Sequence, residues 1–112
     1  MGYFVYDSSR EIEVEDRALA HLQVVIIDKL RRSESFAVNL RDGKSVVSIW
    51  ISPRSAVQFV YSGNRRSTLN RGWLERLSDG VGMTGTLNLV PEPAEDWAPL
   101  PAPERERVDV GA

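Results

Sequence analysis

The sequence predicts a two-layer α+β domain in which an antiparallel sheet carries two helices, in the order ββαβββαβ. Three observations predict it: short stretches of alternating apolar and polar residues, two longer stretches with apolar residues at helical spacing, and turn residues between them. With 112 residues, 42% apolar and 27% charged, the chain has material for one domain and one core.

Tyr3 to Tyr6 is aromatic and β-branched, and Glu11-Ile12-Glu13-Val14-Glu15 alternates strictly, so the two segments form a hairpin around Asp7-Ser8-Ser9-Arg10. Asp16 then caps a helix over 17–32 whose Leu19, Leu22, Ile26 and Leu30 fall on one stripe, widened by Ala18 and Val25. Lys29, Arg31 and Arg32 at its end suit the negative pole of the helix dipole. Phe36 to Leu40 and Val46 to Ile51 flank Asp42-Gly43, a hairpin signal. After Pro53, Val57 to Tyr61 resumes the alternation, which predicts a three-stranded antiparallel meander. Ser67 or Thr68 caps a second helix through Leu69, Trp73, Leu74 and Leu77, with Gly80 just past its end, and Thr86 to Val90 is a last strand.

Five of the six prolines fall after Val90. The folded unit is therefore expected over 1–92, with 93–112 a proline-rich tail lacking fixed structure.

The chain contains no cysteine and one histidine, His21. Disulfides, thiolate metal sites and cysteine nucleophiles are excluded. His21 falls opposite the apolar stripe, on the face of Arg17 and Asp28, and reads as an ordinary surface residue. Glu11, Glu13 and Glu15 share one face of a strand, where a hard cation could in principle sit, but a solvated hairpin edge explains them as well. No metal or cofactor is expected. Gly80-Val81-Gly82-Met83-Thr84-Gly85 matches the spacing of a dinucleotide-binding loop, yet it leads from helix to strand, the reverse of what such a loop needs. It reads as a flexible connection.

The formal net charge of −2 conceals a partition. Ten basic residues between 29 and 76 face only Glu34, Asp42 and Glu75, whereas both ends are acidic. The densest cluster runs from Asn64 to Trp73, where Arg65, Arg66 and Arg71 meet a helix start that favours anions. Arg65, Arg66 and Arg71, extended by Lys29, Arg31 and Arg32, are the candidate binding residues. The expected function is a non-enzymatic module that contacts nucleic acid or another polyanion. The alternative is a protein-interaction or homodimerising domain, using an edge strand or an acidic partner. No segment is apolar enough to cross a membrane, Met1 to Tyr6 does not read as a basic leader followed by an apolar run, and a cytoplasmic location is expected.

Several stretches together carry a resemblance: Met1-Gly2-Tyr3-Phe4-Val5-Tyr6, Glu15 to Leu22 continuing to Lys29-Leu30-Arg31-Arg32 with Glu34-Ser35-Phe36, Ser48-Ile49-Trp50-Ile51, and Thr68-Leu69-Asn70-Arg71-Gly72-Trp73-Leu74-Glu75. Over residues 1–93 the chain resembles a family of small bacterial proteins of about its own length, from high-GC Gram-positive genomes, that carry the label "ATP-dependent DNA ligase". The label implies lysine adenylation in a Lys-x-Asp-Gly motif. Lys29 precedes Leu-Arg-Arg and Lys44 precedes Ser-Val-Val, so neither fits, and the resemblance implies at most an accessory role in DNA joining.

Overall fold

The computed structural model describes residues 1–63 and 68–94. The elements follow the expected order: β1 (Gly2–Tyr6), β2 (Arg10–Val14), α1 (Asp16–Arg31), β3 (Phe36–Asp42), β4 (Ser45–Ile51), β5 (Val57–Val60), α2 (Arg71–Thr84) and β6 (Thr86–Asn88). They build the two-layer α+β fold that the patterning predicts. One core joins both layers, with Phe4, Ile12, Leu19, Leu22, Ile26, Phe36, Val38, Ile51, Leu77 and Leu87 fully buried in it.

The strands pair differently from a meander. They form two three-stranded sheets, β2-β1-β5 and β4-β3-β6. β5 leaves β4 and pairs antiparallel with β1, setting Phe59 against Phe4 with ring centroids 5.6 Å apart. The segment after Pro53 is drawn there by Asp7, whose backbone N–H donates to the Ala56 carbonyl at 2.7 Å and whose Oδ1 accepts from the Ala56 N–H at 3.1 Å. β3 takes β6 as its second neighbour, in parallel.

Both helix ends depart from expectation for local reasons. Asp16 lies in the first turn of α1 instead of capping it, and its carboxylate accepts from the Ser62 hydroxyl at 2.6 Å. That bond holds the Asp16 pKa below the usual carboxylate value. α1 ends in a Schellman motif: Ser33, at φ 61°, donates to the Leu30 carbonyl at 3.0 Å and Glu34 to that of Lys29 at 3.1 Å. α2 is capped by Asn70, not Ser67 or Thr68, and runs through Gly80 to stop at Gly85, where φ is 77°. The glycine-spaced segment is therefore the last turns of a helix, and not a flexible connection. A left-handed residue, which Gly85 supplies without a side-chain clash, returns the chain toward β6.

Candidate functional site

A buried polar cluster lies where α2 begins. His21 is fully buried, which corrects its reading as a surface residue. Its Nδ1 lies 2.7 Å from the Arg17 carbonyl and its Nε2 accepts the Asn70 backbone N–H at 2.8 Å. The carbonyl can only accept, so Nδ1 donates to it while Nε2 takes the Asn70 N–H. Its face lies on the Trp73 indole, with centroids 4.5 Å apart.

Asn70, also fully buried, links three segments. Its Oδ1 accepts from Trp73 N–H at 3.3 Å, and its amide donates to Glu92 at 2.9 Å and to the Pro93 carbonyl at 3.1 Å. Arg17 clasps the same Glu92 carboxylate with two bonds of 2.9 and 2.6 Å and donates to the Thr68 carbonyl. The Arg17 and Asn70 hydrogen bonds pull the Glu92 pKa down to about 2. The carboxylate beside the start of α2 is thus the chain's own, and the anion-favouring character expected there is used internally. The chain is held through Pro93, two residues past Pro91, where the proline enrichment begins.

Of the predicted binding residues, Arg71 is exposed in the first turn of α2. Arg65 and Arg66 lie outside the described residues. Lys29 pairs with Glu34 at 3.1 Å and Arg32 with Asp28 at 3.5 Å, while Arg31 is exposed. The His21–Asn70 bond sets the start of α2 beside the second turn of α1. Lys29 to Arg32 lie about 12–16 Å further along that helix at its 1.5 Å rise per residue. The structure therefore does not gather Arg71 with the α1 cluster into one patch. Glu11, Glu13 and Glu15 are all exposed, and among the described residues no group of three or more His, Cys, Asp or Glu could hold a metal ion.

A second surface escapes a reading based on charge. On the sheet β4-β3-β6 the side chains opposite the core form three rows by register: Trp50 with Ala37 and Thr86, Ser48 with Asn39 and Asn88, and Val46 with Arg41. Ser48 donates to Asn39 at 2.5 Å and Asn39 to Asn88 at 2.9 Å, so one polar ladder spans all three strands. Trp50 and Val46 are 62% and 63% exposed. Arg41 is exposed, as is Lys44 in the hairpin loop, and none of these row residues is a carboxylate. The sequence signal is in β4, where Val46 and Trp50 are apolar on the parity opposite to Val47, Ile49 and Ile51. A strand apolar on both faces, with only one face covered, leaves the other to be used.

These features define a two-helix α+β domain with one sheet face covered and one open, and among the described residues no helix is long and apolar enough to cross a membrane. Residues 1–92 match the family described as a domain of unknown function, DUF7882, and the chain belongs to that family. No curated protein and no solved structure matches it.

Proposed function

We propose that the protein is a small non-enzymatic binding module for nucleic acid, engaging a single strand on the open face of the β4-β3-β6 sheet. The observation that carries this reading is an exposed Trp50 beside a carboxylate-free face bearing Arg41 and a Ser48–Asn39–Asn88 ladder. An aromatic ring on a sheet surface stacks bases, hydroxyls and amides meet base edges, and arginine meets phosphate. Arg65, Arg66 and Arg71, and separately Lys29, Arg31 and Arg32, enter as further phosphate contacts, secondary because Lys29 and Arg32 already have carboxylate partners. Such binding in the cytoplasm is compatible with an accessory role in DNA joining, as the ligase label of similar bacterial proteins implies, without adenylation of Lys29 or Lys44.

Fluorescence titration with a twelve-nucleotide single strand at low salt tests the reading. Binding should quench tryptophan emission and weaken steeply with salt, by about 0.7 in log-log slope per phosphate contact. Trp50→Ala should weaken it about five- to a hundredfold, the range of one base stack. Arg41→Ala should lower the slope, and joint replacement of Arg65, Arg66 and Arg71 should weaken binding less than Trp50→Ala. Absence of binding at low salt overturns the proposal, as does binding indifferent to both Trp50 and Arg41.

A further inference from the structure

We infer that β4 is a homodimerisation edge: two copies of this chain pair Ser45–Ile51 antiparallel about a two-fold axis at Ser48, fusing two three-stranded sheets into one. The inference rests on which edges of the sheets are protected, and it shares Trp50 with the proposed nucleic-acid face.

Four strands lie at sheet edges, β2, β5, β4 and β6. β2 carries Arg10, Glu11 and Glu13 along its length, β5 has four residues, and β6 has three. Charge, shortness and proline are the devices by which edges resist pairing with another chain. β4 has none of them: it is seven residues long and contains no charged residue, proline or glycine. Its strand neighbour is β3, and every second residue turns its N–H and C=O away from that strand. Among the described residues no backbone hydrogen bond from another element covers this outer side.

The sequence of β4 is also self-complementary about Ser48. Antiparallel pairing on that centre sets Val46 against the partner's Trp50, Val47 against the partner's Ile49, and Ser48 against itself. Within the central five residues apolar side chains meet apolar side chains on both faces, Ser45 meets the partner's Ile51 at the ends, and no charged residues meet along the strand. The pairing joins residues of the same parity, so core faces stay with core faces, whereas a one-residue slip would invert them. Val46 and Trp50, the two large exposed apolar residues of β4, become cross-strand neighbours. A symmetric contact of this kind closes on itself and stops at two copies.

Sedimentation velocity of the full chain from micromolar to about millimolar concentration tests this. The wild type should form a reversible dimer. Val46→Lys with Trp50→Lys, both on the exposed face, should weaken it at least tenfold while leaving circular dichroism and melting unchanged. Val46→Glu with Trp50→Glu should do the same. An equimolar mixture of the two double variants should recover a heterodimer, because Lys then faces Glu. As a second measurement, Ser48→Cys introduces the chain's only thiol at the axis. Directly opposed Cα atoms lie about 4.5–5.5 Å apart, within disulfide reach, so mild oxidation should cross-link it. Ser45→Cys, opposite the partner's Ile51, should not cross-link. A wild type that stays monomeric, a dimer indifferent to both double variants, a mixture that stays monomeric, or equal cross-linking at both positions overturns the inference.

Discussion

His21 and Asn70, on separate helix-forming segments, are joined by a 2.8 Å hydrogen bond in which the backbone N–H of Asn70 donates to the buried imidazole. The same residue caps α2 and holds Glu92 and Pro93. One histidine thereby positions the start of α2 and, through Asn70, the chain after β6.

His21→Phe keeps an aromatic face against Trp73 but leaves the Asn70 N–H without its partner. Stranding a buried donor costs about 1–3 kcal/mol. Urea unfolding should show that loss, and a change below about half a kcal/mol would mean that another group satisfies Asn70.

Acid should release Glu92. Its pKa is about 2 in the folded chain, against an ordinary 4.5, so the unfolded chain binds the proton more readily as pH falls. The stabilisation is complete above the ordinary value and disappears as pH drops from there toward 2. Because the Arg17 and Glu92 side chains are both about a quarter exposed, the contribution is discounted for solvent screening to about 1 kcal/mol. Glu92→Gln should show that loss at pH 7 and little difference from wild type near pH 2. Parallel stability curves for the two proteins would refute the assignment.

Truncation tests how far the contacts through Pro93 stabilise the fold, and the tail expected beyond Ala94 lies outside the described residues. Stopping after Ala94 keeps the Trp73 Nε1 bond to the Val90 carbonyl, the Arg17–Glu92 clasp and the Pro93 contact, and should leave the melting temperature nearly unchanged. Stopping after Leu89 removes all three and should lower it by several degrees. Equal melting temperatures would show that these contacts contribute nothing.

Elements set by local pattern were legible in the chain, and those set by long-range partners were not. Leu19, Leu22 and Ile26 repeat at helical spacing, and all three are fully buried. His21 was misjudged because a polar ring beside Arg17 and Asp28 resembles a surface residue. Its position three residues after Ala18 and four before Val25, both buried, is the signal that α2 packs on that side. The meander does not hold at β5 because alternation specifies a strand without naming its neighbour, and Asp7 supplies that choice from 49 residues away in sequence. Ser67, Thr68 and Asn70 are all competent caps. Asn70 also meets His21 and Glu92, and Ser67 lies outside the described residues. Charge in the sequence marks the arginines, whereas the exposure of Trp50 depends on which face of β4 the core covers.

Ser33 occupies the left-handed position at the end of α1, at φ 61°, a conformation costly for a residue with a Cβ. Both Schellman bonds use backbone atoms and survive substitution. Ser33→Gly should therefore stabilise the fold by about 0.5–1 kcal/mol, less the added freedom of the unfolded chain. A destabilised variant would show that the serine side chain has a role of its own.

Two glycine substitutions should move stability in opposite directions. Gly2 pairs with Val14 in β1, and a Cβ there would press into the Val60 backbone carbonyl and lie 2.8 Å from Asp16 Oδ1 and 3.0 Å from Leu19 Cδ2. The carbonyl belongs to the β1–β5 register and cannot swing aside, so the strand or the start of α1 must shift. Gly2→Ala should cost about 1–3 kcal/mol, the usual range for overpacking. Gly82 is exposed within α2, and nothing lies within 4 Å of its added Cβ. Gly82→Ala should stabilise by about 0.5–1 kcal/mol through helix propensity alone. Thermal melts of the two variants and the wild type check both signs. A harmless Gly2→Ala would mean that β1 and β5 can separate freely at that end. A destabilising Gly82→Ala would mean that the last turns of α2 need glycine for a reason other than space.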